Sequence, residues 1–240
     1  MKKHIPNFIT LLNLMAGVLA IWFSTQGEWK ITLALILAAA VFDFLDGMAA
    51  RVLKAGSPIG KQLDSLSDMV SFGVLPAFLL YQVYRFGFTL DQGSRILAAP
   101  LIRDLIGLSV LMIPAAAAIR LARFNLYDQG DGIFSGLATP ANTLFWAGIY
   151  AEVMKNGQLY DHPDFIWFLL IVQVLLTVLM ILPVPMFSLK FRNFRLKENF
   201  IRYFFLLLAL ILLIAGGLQA FPVIILCYIL LSFVNFFAGR

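Results

Sequence analysis

An all-α integral membrane protein, a bundle of about eight spanning helices, is the fold that this sequence predicts. Three observations predict it. Hydrophobic residues make up 61% of the 240 and charged residues 13%, with a mean hydropathy of +0.90. Apolar runs of roughly 20 residues, enough to cross a bilayer, alternate with short polar stretches that hold Gly and Pro. The basic residues fall unevenly between the two sides that such a threading creates. No stretch is long enough for a separate soluble domain, so residues 1–240 read as one membrane domain.

The chain begins Met1-Lys-Lys-His and continues into the apolar run Ile5–Phe23. Asn7, Thr10 and Asn13 interrupt that run, and no small-residue cleavage site follows it. It reads as an uncleaved first spanning helix with its N-terminus in the cytoplasm. Three-residue spacing sets Asn7, Thr10 and Asn13 along one face. After a short outer loop, a second helix is expected over Lys30–Leu53, with a turn at Lys54–Pro58. A third helix is expected over Lys61–Phe86 and a fourth over Leu101–Phe124, with Pro114 as a kink. A fifth follows over Ala141–Met154 and a sixth over Phe165–Phe187. The segment from Lys190 to Arg202 holds five basic residues against Glu198 and reads as a cytoplasmic loop facing anionic lipid headgroups. Two nearly uncharged helices, Phe200–Ala215 and Leu218–Phe237, end the chain and read as packing or dimer surface.

This threading puts 13 of the 18 Lys and Arg on the cytoplasmic side; Lys30, Arg85, Arg95, Arg103 and Lys155 face out. The net charge of +5 is thereby assigned to loops and membrane lipids rather than to nucleic acid. Cys227, alone of its kind, excludes an intrachain disulfide.

The densest chemistry lies between Asp43 and Asp68, where four carboxylates fall within 26 residues. Charge at the edge of a membrane segment is expensive and marks a functional site by default. On a helix, Asp43, Asp46, Gly47, Ala50 and Arg51 share one broad face. Asp64 and Asp68, four apart, share a face on the next helix. Turned together, the two faces make a pocket whose negative charges repel, and divalent cations are the usual remedy. All-oxygen ligands favour Mg²⁺, Mn²⁺ or Ca²⁺ over zinc. Gly47, Ala50 and Gly60 let a bulky ligand approach the backbone, and the planar fork of Arg51 suits a phosphate. Ser57, in the turn, either donates a hydrogen bond to a phosphate oxygen or caps a helix. Intramembrane carboxylates also occur in cation-coupled transporters, which carry internal repeats and midplane acids in matching halves; neither is found here.

The pattern D-x2-D-G-x2-A-R-x8-G-x3-D-x3-D is matched at every fixed position. It resembles the CDP-alcohol phosphotransferase family, membrane enzymes that move a phosphatidyl or similar group from a CDP-linked donor to an alcohol. The resemblance implies one or two Mg²⁺ or Mn²⁺ ions held by Asp43, Asp46, Asp64 and Asp68, with Asp68 as general base. It implies CDP-diacylglycerol as donor and CMP as leaving product. Asn7, Thr10, Gly47, Ala50, Arg51, Ser57 and Gly60 are the residues expected to hold the donor. A homodimer is implied too, and a six-helix core over residues 1–188, leaving 189–240 as the basic loop and two extra helices. Arg120-Leu-Ala-Arg123-Phe-Asn125 and the loop Phe134-Ser-Gly136-Leu-Ala-Thr139-Pro140 resemble segments of the phosphatidylserine synthases within that family, although proline usually stands where this chain has Ala138. That points to L-serine as acceptor, bound by Arg120, Arg123 and Asn125, since a guanidinium pairs well with a carboxylate. The two arginines also satisfy the positive-inside pattern without further function. The alternative is a sister enzyme that uses glycerol 3-phosphate or an inositol phosphate, whose phosphate the same arginines could bind. The site is expected to face the cytoplasm from the cell membrane.

Overall fold

A computed structural model describes residues 4–90, 99–126, 134–157, 164–187 and 199–238. The described residues are helical almost throughout. Helices α1 (His4–Thr25) and α2 (Trp29–Val52) form an antiparallel hairpin joined through Gly27, whose φ of +74° suits glycine in the turn. Helix α3 (Pro58–Asp68) starts with Pro58 behind Ser57, whose Oγ accepts from the Gly60 amide at 3.0 Å. That is an N-cap, satisfying an amide that the helix start leaves unpaired.

The third rod is not the uniform α-helix that periodicity suggests. Directly after Asp68 the backbone widens into a π-helical segment, Met69–Val74, before resuming as α4 (Leu75–Leu90). Gly17 of α1 lies opposite, and a Cβ there would run into Ser71, with the Ser71 Cα only 3.0 Å away. Because Gly17 has no side chain, α1 comes close enough for Ser71 Oγ to donate to the Asn13 carbonyl at 3.1 Å and Ser67 Oγ to the Thr10 carbonyl at 3.0 Å.

The fourth rod breaks where Pro114 stands. Helix α5 (Pro100–Ser109) ends and α6 (Met112–Leu126) begins two residues before Pro114. Proline cannot donate to the Val110 carbonyl, and the Ile113 amide takes it instead at 3.0 Å, tightening the turn. Helix α7 (Thr139–Asn156) is the most enclosed: Asn142, Thr143, Phe145, Trp146, Tyr150 and Ala151 are all buried. Helix α8 (Phe165–Ile181) follows, then α9 (Phe200–Gly216) and α10 (Phe221–Ala238), joined by the 3₁₀ turn Gly217–Ala220. Phe205 of α9 and Tyr228 of α10 have ring centroids 5.6 Å apart, so the last two helices fold back on each other. A two-residue antiparallel ladder pairs β1 (Phe134–Ser135) with β2 (Pro185–Met186).

The main core cluster runs through α4, α6, α7 and α8, with Leu79, Val83, Ile113, Trp146 and Leu169 among its members, and smaller clusters form around Phe205 and Phe72. A polar knot sits inside the main one. Tyr84 Oη donates to Gln173 Oε1 at 2.8 Å, and Gln173 Nε2 donates to the Ser109 carbonyl at 2.6 Å. Buried polar groups need such partners, and here they tie α4, α5 and α8 together. The outer surface is apolar: Phe8, Trp22, Phe44 and Ile214 are all more than 60% exposed. Such a surface fits lipid rather than water.

Among the described residues five helical stretches are long and apolar enough to cross a membrane: His4–Thr25, Trp29–Val52, Pro58–Thr89, Pro100–Leu126 and Phe200–Phe237. Phe165–Ile181 is apolar but shorter. Helix α7 escapes that count because protein surrounds it, so its sequence carries polar residues that a lipid-facing helix would avoid. The sequence-based bounds hold to within a few residues except for helix six, which stops at Ile181; Leu182 turns extended ahead of Pro183. Most of the basic segment (188–198), Lys2, Lys3, Arg95 and Arg240 lie outside the described residues.

Candidate functional site

The two aspartate pairs meet. The last turns of α2 bring Asp43 and Asp46 beside Asp64 and Asp68 of α3. One carboxylate oxygen each from Asp43, Asp64 and Asp68 lies within 4.8 Å of the others. Asp46 is 5% exposed, and its Oδ2 is buried without a hydrogen-bond partner. Three converging carboxylates and an orphaned fourth oxygen are costly unless a cation joins them. All donors are hard oxygens, so the set fits Mg²⁺ or Mn²⁺. The residues present therefore suit a divalent ion.

Asp68 has a further partner. Asn13 Nδ2 of α1 donates to Asp68 Oδ1 at 3.2 Å, while Asn13 itself is fully buried. Its own Oδ1 has no partner, so the amide is held in place by what its nitrogen does. The sequence pattern showed Asn13 as polar but gave it no role.

Beside the acids opens a cavity of about 220 Å³. Asn7, Thr10, Gly47, Ala50, Ser57 and Gly60 all line it, with Asp46 and Asp64. Of the seven residues expected to hold a donor, Arg51 alone does not: it stands exposed in the last turn of α2. A Cβ at Gly60 would fall 2.9 Å from Asn7 Oδ1, so glycine there keeps α1 and α3 close across the cavity. Lys61, which the motif skips, also lines it.

Arg120, Arg123 and Asn125 divide between two neighbours. Arg120 Nη1 donates to the Met180 carbonyl at 3.2 Å and Arg123 Nη1 to the Ile181 carbonyl at 2.9 Å. These carbonyls end α8 and have no helical partner of their own, so the guanidiniums cap it, with the favourable dipole sign. Gly136, at φ +73°, packs into the same corner; a Cβ there would lie 2.7 Å from the Leu179 carbonyl oxygen. Asn125 turns instead toward the acids' helix: its Nδ2 donates to Ser65 Oγ at 2.7 Å, and its carbonyl accepts from Lys61 Nζ at 2.8 Å. The segment is thereby anchored one residue from Asp64.

An apolar helical bundle with a carboxylate-lined pocket fits the class of integral membrane proteins with an acidic site suited to a divalent ion. Residues 3–179 match the family model for CDP-alcohol phosphatidyltransferase, and the chain belongs to that family. Among its relatives, a CDP-diacylglycerol–serine O-phosphatidyltransferase of Mycobacterium leprae is 35% identical over 190 residues, 76% of this chain and 57% of that protein. An archaetidylserine synthase of Methanothermobacter thermautotrophicus is 35% identical over 161 residues, covering 62% of this chain and 60% of the relative. A CDP-diacylglycerol–serine O-phosphatidyltransferase of Helicobacter pylori is 25% identical over 232 residues, 96% of this chain and 90% of that protein. The chain thus spans under two thirds of the mycobacterial and archaeal relatives and most of the Helicobacter one.

Proposed function

We propose that the protein transfers the phosphatidyl group of CDP-diacylglycerol to the hydroxyl of L-serine, giving phosphatidylserine and CMP. The observation that carries this is the convergence of Asp43, Asp64 and Asp68 beside a cavity walled by Asn7, Thr10, Gly47, Ala50, Ser57 and Gly60. Serine as acceptor rests on the names of the relatives and on Asn125, tied to Ser65 within one turn of the acids.

Asp43, Asp46, Asp64 and Asp68 would hold one or two Mg²⁺ or Mn²⁺ ions. Bound there, a divalent ion supplies charge neutralisation for the diphosphate and the departing CMP. Gly47 and Ala50 admit the nucleotide against the α2 backbone. Asn7 and Thr10 face it from α1. The Asp68 carboxylate takes the proton of the serine hydroxyl as that oxygen attacks the phosphatidyl phosphorus and the bond to CMP breaks. Asn13 fixes the orientation of Asp68. Little covalent work falls to the protein, so positioning and charge dominate. Arg120 and Arg123 would receive the serine carboxylate, and exposed Arg51 would meet the diphosphate from the rim.

The bundle crosses the cell membrane eight times in this reading, with the N-terminus and the site at the cytoplasmic face, as one domain whose last two helices follow the family core. A homodimer is the expected assembly. The test is CMP release by purified protein with CDP-diacylglycerol and Mg²⁺ or Mn²⁺, with L-serine, glycerol 3-phosphate, an inositol phosphate or no acceptor. Release with serine alone is expected. Release only with a phosphorylated acceptor would overturn the choice of serine, and no release with any would overturn the transferase reading.

A further inference from the structure

Lys61 occupies an unusual position. It lies in the first turn of α3, where the backbone amides already carry partial positive charge and a cation is disfavoured. Asp and Glu are the usual occupants of such a turn, and this one has none. The residue nonetheless lines the cavity, and among the described residues it is the one cation that does. Its side chain is exposed, and its ammonium is spent on a neutral group, the Asn125 carbonyl. That contact is not needed to hold Asn125 in place. Asn125 Nδ2 reaches Ser65 Oγ independently, one helical turn further along α3. Lys61 is therefore free to leave without undocking the end of α6, and its four-carbon stem gives it reach. The same cavity holds the unpartnered Asp46 Oδ2, a second sign that its polar lining is incomplete without a ligand.

We propose that Lys61 is a phosphate-binding residue of the donor cavity, parked on the Asn125 carbonyl until a nucleotide phosphate arrives. This rests on the donor assignment made above. A phosphate oxygen is the better partner: it carries negative charge, so the ammonium gains an ion-pair attraction that a neutral carbonyl does not offer. Departure of the ammonium would also leave the Asn125 carbonyl open beside the acids, so donor occupancy would be felt where the acceptor is expected.

The test is direct binding of CMP and of cytidine, with Mg²⁺ present, to detergent-purified wild type, Lys61→Met and Lys61→Arg. Neither probe needs turnover. Lys61→Met is expected to weaken CMP about tenfold to a hundredfold, the scale of one lost hydrogen bond to a charged group, and to leave cytidine unmoved. Lys61→Arg, which keeps the charge, is expected to recover most of the loss. If wild type prefers CMP over cytidine and Lys61→Met keeps the full preference, Lys61 is no phosphate ligand. If cytidine weakens as much as CMP, the residue shapes the cavity and the proposal is overturned. A wild type that binds CMP no better than cytidine removes the donor assignment itself, and Lys61 falls with it. Unchanged melting of Lys61→Met is expected in every case, because Ser65 retains Asn125.

Discussion

Asn13 Nδ2 lies 3.2 Å from Asp68 Oδ1 across 55 residues of sequence, joining the first helix to the last acid of the motif. Asn13→Ala removes that donor from a carboxylate. A lost bond to a charged group is worth about 1.5–3 kcal/mol, so kcat is expected to fall about tenfold to a hundredfold. The KM for both substrates should barely move, because the substrate contacts remain. Steady-state CMP release checks this. A rise in donor KM with unchanged kcat would place Asn13 in the donor site instead.

Asp68→Asn keeps the shape and removes the proposed base. Loss of a positioned base typically costs about 10²- to 10⁴-fold in rate. The same change removes one carboxyl group from a crowded set of three, so the variant should melt no lower than wild type in metal-free buffer. Activity and melting measured together distinguish a lost base from a lost fold.

Spacing made part of the candidate site legible: 3.6-residue periodicity sets Asp43, Asp46, Gly47 and Ala50 on one face. The donor set as a whole comes from the family resemblance, and six of its seven residues line one cavity. What the spacing could not show is which helix ends meet. Periodicity orders residues within a helix, whereas Asn13 with Asp68 and Lys61 with Asn125 depend on how closely two helices approach. Gly17 decides one such approach, yet nothing local marks it as different from Gly47, beside which a Cβ would meet nothing within 4 Å. The arginines of α6 were legible as charges at a helix end; that they reach the Met180 and Ile181 carbonyls was not, because the corner forms only when α8 stops early.

Gly17→Leu tests that approach. Its Cβ would meet Ser71 at backbone distance, so α1 must move away from the π segment. Overpacking of this kind costs about 1–3 kcal/mol. A lowered melting temperature is expected together with reduced kcat, since Asn13 moves with α1. Full activity at normal stability would show that the helices separate without consequence.

Gln173→Leu should unfold the bundle more readily while sparing the chemistry. Tyr84 loses its partner in a buried place, and an unpaired buried hydroxyl costs about 1–3 kcal/mol. Tyr84→Phe combined with Gln173→Leu should recover part of the loss, because both polar groups then leave together. Thermal unfolding of the two variants decides it.

Arg123→Ala separates two roles. As an acceptor ligand it should raise the serine KM with the donor KM unchanged. As a cap alone, it would lower stability by about 0.3–1 kcal/mol and leave the serine KM alone.

The π segment after Asp68 sets a phase. Each residue of an α-helix turns the chain by about 100°, so one residue accommodated in a wide turn rotates everything beyond it relative to everything before. Asp64 and Asp68 point toward the other acids, while Leu79, Leu80, Val83 and Tyr84, on the same rod, point into the core. An uninterrupted α-helix would couple those two directions rigidly. Deleting one residue from Met69–Val74 would therefore force a choice between aiming the acids and burying the core, and a mutant that keeps its core would present Asp64 and Asp68 to the wrong neighbours.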